Sequence, residues 1–262
     1  MTKILYKYLD AKGGLAMLKN CNLQFTHPVN LNDPFDCNPS LINFSNVPEA
    51  KCKVWSPEII RLLGSQHYKR QWEETWICSL SKTFDNLLMW AHYCVNHQGI
   101  CIGIDMEKAD KYLSRILNGV YIGIEKLEVQ YEEIAQRPDY FHDFVKDFFR
   151  YQLVTKAKDW AYEKEIRLLM REPNPGLVST ALPSSYHPED EDKGIDIKKY
   201  RFYPQIGKEC FCALYLGINI DENKRDELIK IARLQNPDIN ICQMKPDLET
   251  FKLVAEPVNN NP

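Results

Sequence analysis

The segment Trp160-Ala161-Tyr162-Glu163-Lys164-Glu165-Ile166-Arg167-Leu168-Leu169-Met170 constrains this chain more than any other, because it sets charges inside an otherwise aromatic and aliphatic run. Charges in such a run need partners or a ligand once the segment is buried. If it is extended, Glu163, Glu165 and Arg167 share one face, while Lys164, Ile166 and Leu168 share the other. Same-face neighbours lie roughly 6.5 to 7 Å apart, near enough to embrace one small polar group and far enough to ionise separately. That geometry suits a sugar or a cation. The plain alternative is the charged solvent face of an edge strand.

With 262 residues and 44% hydrophobic content the chain can bury a sizeable core, as one domain or one domain with an insertion. A net charge of -3 and a pI near 6.1 argue against the broad basic surface of a dedicated nucleic-acid binder, although a local basic groove stays open. Nine cysteines are scattered without a C-x-x-C pair, and Cys210-x-Cys212 alternates like strand residues. Reduced, mostly buried thiols are expected, and with them a cytoplasmic location. The opening residues carry no secretory pattern, and no apolar run is long enough to span a bilayer.

In chain order, Ile4 to Tyr8 reads as a strand, Asp10 to Gly14 as a turn, Leu15 to Asn20 as a helix and Leu23 to Thr26 as a second strand. Asn32-Asp33-Pro34-Phe35-Asp36 is a turn whose polar side chains form a cluster. A loop over 46–57 and a helix over 57–71 lead to a strand over 74–81, which puts Ser79 and Ser81 on one face. A helix capped by Asp85 carries Met89-Trp90-Ala91-His92-Tyr93, and Gly99 to Asp105 suits a strand covered on both faces. Strand signals follow at 120–124 and 127–131. Phe141, Phe144, Val145, Phe148, Phe149 and Leu153 recur at helical spacing. Residues 173–196 form an irregular loop insertion, a candidate lid, with the acidic run Glu189 to Asp192. A strand over 210–220, a helix over 221–233 and strands over 239–244 and 251–255 close the chain.

His92 is the histidine placed best for chemistry, although a lone histidine on a helix is more often a packing residue. His92 and His97 are not spaced to share a helical face, so no metal site is expected from them. There is no G-x-S-x-G, no P-loop and no G-x-G-x-x-G.

The succession Leu5-Tyr6-Lys7-Tyr8, Asn32-Asp33-Pro34-Phe35-Asp36, Met89-Trp90-Ala91-His92-Tyr93 with Gly99, and Lys156 followed by Trp160, Glu163-Lys164-Glu165 and Arg167 resembles a bacterial family catalogued as a domain of unknown function. More distantly, the chain is similar to ADP-ribosyltransferases: an aromatic or basic residue on the first strand, a serine-rich second core strand and an E-x-E near a later strand. That resemblance implies an α+β fold, with mixed, mostly antiparallel central sheets and flanking helices. It implies NAD as substrate, with Tyr6 or Tyr8 in the first role and Ser79 and Ser81 in the second. Glu165 would be the catalytic glutamate and Glu163 would orient the acceptor. Asn32, Asp33, His92, Tyr93 and Arg167 join the expected cofactor-binding set. The chain departs from the pattern in having no histidine or arginine at the first motif, and Lys7 points away from the tyrosines.

The chemistry agrees with that set. Nicotinamide is already cationic in NAD, so its departure needs no acid, but the oxocarbenium-like ribose left behind needs a carboxylate close by. Tyrosine rings can stack on nicotinamide and serine hydroxyls can bond its amide. The leading expectation is a single domain over 1–262 that transfers ADP-ribose to a protein or nucleic acid acceptor, or hydrolyses NAD; family analogy suggests a toxin or phage-defence effector. One alternative is a metal-dependent nuclease built on Asp33, Asp36, Glu163 and Glu165. Another is a non-enzymatic protein-interaction module docking through the 173–196 loop.

Overall fold

The chain bends around one central strand that is shared by two unequal halves of a sheet. A computed structural model describes residues 3–113, 115–117, 120–122, 124–143, 147–171 and 201–258. The strands are β1 (Ile4–Leu9), β2 (Phe25–Thr26), β3 (Thr75–Ser81), β4 (Ile100–Asp105), β5 (Arg115–Leu117), β6 (Val120–Ile122), β7 (Ile124–Glu128), β8 (Gln130–Glu132), β9 (Thr155–Ala157), β10 (Glu165–Arg171), β11 (Arg201–Phe202), β12 (Phe211–Leu216), β13 (Asn240–Asp247) and β14 (Lys252–Pro257). The helices are α1 (Ala11–Asn20), α2 (Pro57–Glu73), α3 (Leu87–Tyr93), α4 (Met106–Leu113), α5 (Phe148–Val154) and α6 (Glu222–Gln235). The fold is α+β with a mostly antiparallel sheet; among the described residues of the main sheet only β12 and β13 run parallel. The expected 173–196 loop lies outside the described residues.

Several boundaries move for local reasons. Asp10 accepts a hydrogen bond from the Gly13 amide, so the stretch expected as a turn is the first turn of α1. Asn86, not Asp85, caps α3, accepting from the amides of Leu88 and Met89. Of the helix expected from Phe141, residues 144–146 lie outside the described residues; Phe141 itself is buried on a turn, and the described helix is α5. The acidic strand begins at Glu165: Lys158–Glu163 is a 3-10 helix, and Lys164 turns the chain with φ 46° and ψ 49°.

Strand β10 occupies one whole edge of β3, from Glu165 opposite Ser81 to Arg171 opposite Thr75. Strands β1 and β2 therefore share the other edge, β1 meeting it at Tyr6–Ser81 and β2 at Thr26–Ile77. The sheet forks between them. At the fork the Ser79 carbonyl accepts from Lys7 Nζ at 2.9 Å instead of from a ladder amide.

One sheet face carries the main apolar core: Leu5, Trp76, Cys78, Leu80, Ile102, Ile166 and Leu168 pack with Met17 and Leu18 of α1 and Leu228 of α6. Each such side chain contributes roughly 1.5 to 3 kcal/mol by leaving water. The other face has two separate apolar clusters. Tyr8, Trp90, Cys101 and Tyr215 gather under α3, while Ile77, Phe149, Leu153 and Leu169 gather under α5. Ser79, Ser81, Glu165 and Arg167 lie on this face as well, since strand partners share a side.

After α3 the chain makes a left-handed turn through Val95 (φ 49°), Asn96 (φ 54°) and His97 (φ 66°). Valine in this region is strained by its branched Cβ, and Val95 is 52% exposed, so its side chain returns little by burial. Val95→Asn is expected to stabilise the protein by about 1 kcal/mol. Urea unfolding checks this as a higher midpoint with an unchanged slope; an unchanged or lower midpoint would mean that the turn is unstrained.

Candidate functional site

Strand pairing aligns Tyr6, Ser81 and Glu165 as a single row across β1, β3 and β10, and the next same-face pair is Ser79 with Arg167. Beside this row, at the fork, opens a cavity of about 460 Å³. Its walls include Tyr6, Ser79, Ser81, Asn32, His92 and Tyr93, with Asp36, Lys156, Glu163 and Glu165 on one side and Arg201 and Thr26 on another.

Arg167 is fully buried and every guanidinium N–H is used. Nε donates to Glu165 Oε1 (3.0 Å) and Nη2 to Glu165 Oε2 (3.1 Å) and Asp36 Oδ2 (2.6 Å). Nη1 donates to the Leu153 carbonyl (2.6 Å) and to Cys37 Sγ (3.0 Å). With all five donors taken, Arg167 has none left for a ligand, which corrects its expected cofactor-binding role.

Lys156 is 5% exposed. Its ammonium bridges Glu163 Oε2 (2.5 Å), Glu165 Oε2 (3.4 Å) and Asp36 Oδ2 (3.7 Å) and lies over the Trp160 ring, 4.8 Å from its centroid. Glu163 Oε1 accepts from the Tyr93 hydroxyl at 2.5 Å, and that hydroxyl accepts from Asn32 Nδ2 at 3.4 Å. Three carboxylates thus face two cations, leaving one negative charge in excess when all are ionised.

The two glutamates titrate in opposite directions. Burial would raise the Glu165 carboxyl, but Arg167 and Lys156 outweigh it and hold the group at about 2. Glu163 is pushed upward, chiefly by burial and then by the neighbouring Glu165, against the pull of Lys156. Lys156 is raised: burial opposes its charge, and Glu165, Glu163 and Asp36 overcome that. Burial, followed by Glu163, pushes the Tyr93 phenol far up, so it stays a neutral donor.

The remaining expected residues divide by geometry. Tyr6 reaches the cavity beside Phe84 and Tyr215, whose rings stack at 4.1 Å. Tyr8 is 6% exposed, donates its hydroxyl to the Thr83 carbonyl and sets its ring edge-on to Trp90, and it lines the cavity from this core position. Ser81 donates to the Glu163 carbonyl (2.6 Å) and accepts from the Thr83 amide, so its hydroxyl ties the 3-10 helix to β3. Ser79 is half-buried on the cavity wall. His92 is exposed on the cavity wall, its ring 6.2 Å from that of Tyr162. Asp33 is not a cavity wall: its Oδ1 accepts from the Phe35 amide and caps its own turn. Asp36 does reach the acidic strand, but between the carboxylates lie the charges of Lys156 and Arg167, where a magnesium ion would have to sit. Among the described residues no group of three His, Cys, Asp or Glu could hold a metal ion.

Glu163 was expected on the strand. It converges with Glu165 from the end of the 3-10 helix instead, because left-handed Lys164 reverses the chain between them. Lys156 and Asp36 are the cluster members that alternation could not supply; the only sequence signal was their place in the quoted motifs.

Fold and site together define an α+β protein with a buried ion cluster flooring a polar cleft. Residues 89–168 match a family model described as protein of unknown function (DUF2971), an uncharacterised domain family. The matched span carries Tyr93, Lys156, Glu163, Glu165 and Arg167, while Tyr6 and Asp36 lie outside it. Neither the curated proteins nor the solved structures contain a match to the chain. Among the described residues no helix is long and apolar enough to cross a membrane.

Replacing Arg167 with Leu would leave Glu165 and Asp36 buried beside Lys156 alone; a loss of about 3 to 5 kcal/mol is expected in chemical denaturation. Acid stability follows the two glutamates. Glu163, raised in the folded state, favours folding as pH falls from neutrality toward the unfolded value near ~4.3. Glu165, depressed, withdraws its contribution as pH falls from about 4.3 through about 2. Stability measured against pH should therefore climb slightly and then drop. Glu163→Gln should remove the climb, and a variant profile that keeps it would disprove the assignment.

Proposed function

We propose that the chain cleaves the nicotinamide–ribose bond of NAD in this cleft and passes ADP-ribose to a macromolecule or to water. The observation that carries the reading is the row Tyr6–Ser81–Glu165. It brings the three positions that the ADP-ribosyltransferase resemblance assigns onto adjacent strands, on one face and beside one cavity.

The electrostatics support the same chemistry. When the C1′–N bond breaks, its electron pair leaves with neutral nicotinamide and the positive charge moves onto the ribose. A floor with one negative charge in excess stabilises that charge as it forms, and the clamp on Glu165 keeps it oriented and ionised. Glu163 has the complementary property. Its raised affinity for a proton suits it to orient an acceptor hydroxyl or water and take its proton as the new bond to C1′ forms. The aromatic wall of Tyr6 and Tyr93 offers stacking for the pyridinium ring. A reaction that consumes NAD or modifies an acceptor would serve a toxin or phage-defence effector, the biological role we favour.

Nicotinamide release from NAD by purified protein tests the reading. Glu163→Gln preserves the size of the side chain and the Arg167 clamp, so it should fold while lowering kcat by about 100-fold or more. No release by the wild type with protein, nucleic acid or water as acceptor would refute the proposal.

A further inference from the structure

A second cross-strand row marks the opposite side of the cavity. Arg201 of β11 aligns with Thr26 of β2, which aligns with Ile77 of β3. Partners in a row share a sheet face, so Arg201 stands on the face that carries Ser81 and Glu165. Ile77 lies four residues before Ser81, roughly 13 Å along the strand, and Arg201 is two strands across from β3, roughly 10 Å to the side. The guanidinium and the carboxylates thus approach one cavity from separated backbones, and both line it.

The two sides differ in charge. Glu163, Glu165 and Asp36 outnumber their cations, whereas Arg201 makes no ion pair with a described carboxylate and is exposed. Lys7 adds an ammonium to the cavity wall, held to the Ser79 carbonyl in the fork. A ligand that matches this layout is positive where it meets the glutamates and negative where it meets Arg201.

We propose that Arg201 is the anion-binding residue of this cleft, holding the phosphate of a phosphorylated pyridinium riboside whose ring and ribose lie against the Glu163–Glu165 floor. This rests on the NAD reading, and it names a positioning residue that the sequence motifs do not contain. A guanidinium fork binds two phosphate oxygens at once, which fixes how far the riboside can slide toward the carboxylates.

The test compares nicotinamide mononucleotide with nicotinamide riboside, which lacks only the phosphate, by calorimetric titration of the whole chain. The wild type should prefer the mononucleotide by roughly 10- to 100-fold, the range given by a charge-assisted hydrogen-bond pair. Arg201→Ala should erase that preference while leaving riboside affinity within about twofold, and Arg201→Lys should restore part of it. Equal binding of the two ligands by the wild type, binding of neither, or a preference that survives in Arg201→Ala would each overturn the proposal. The two readings separate cleanly: mononucleotide bound through Arg201 without nicotinamide release from NAD sinks the enzyme and keeps the anion site. Release from NAD with an Arg201-independent preference does the reverse.

Discussion

A fully buried guanidinium is tolerated only where its charge and all its donors are met, and Arg167 meets that condition with partners from three separate parts of the chain. Glu165 comes from its own strand, Asp36 and Cys37 from the turn after β2, and the Leu153 carbonyl from the end of α5. Breaking any one contact would strand a charge or a donor away from water. The Asn32–Asp36 turn, α5 and β10 are therefore locked in one arrangement. Lys156 fits into what that arrangement leaves, a gap among three carboxylates.

The fork in the sheet supplies the room. Had β1 continued to pair along β3, a neighbouring strand would cover the Ser79 edge and the face would close over. Instead β1 and β2 each take one end of that edge, and Lys7 satisfies the carbonyl between them. The two apolar clusters on this face fall on either side of the gap, under α3 and under α5. Between them lie Glu165 and Arg167, buried and paired with Asp36, Lys156 and the Leu153 carbonyl, so the polar side chains here bury against one another.

Much of this arrangement was legible in the sequence and some was not, for identifiable reasons. Alternation put Glu165 and Arg167 on one face, and the same rule put Ser79 and Ser81 together; both follow from a two-residue repeat that tertiary context seldom overturns. The convergence of Glu163 was expected for the wrong reason, since a lysine at φ 46° carries no sequence signal of the kind glycine or asparagine gives. Arg167 read as a ligand contact because its main carboxylate besides Glu165, Asp36, is 131 residues away, and sequence spacing cannot reveal such a pair. The helix expected from Phe141 does not begin there, because an aromatic residue on a buried turn can mimic the spacing of a helical face. Tyr8 lines the cavity as Tyr6 does, but Trp90 and Thr83 hold its ring and hydroxyl in the core.

What raises this cluster above a structural clip is the inequality of its two glutamates. A clip works best when every carboxylate is held equally firmly, because each unpaired increment of buried charge is a loss. Here Glu165 faces two cations and stays ionised, while Glu163 faces one cation and a neutral phenol and is pushed toward its protonated form. Two acids two residues apart, with environments that separate their proton affinities, divide naturally into a fixed charge and a proton acceptor. Desolvation of Glu163 is a standing cost to the folded state, and the proposed proton-transfer role would give that cost a reason to persist.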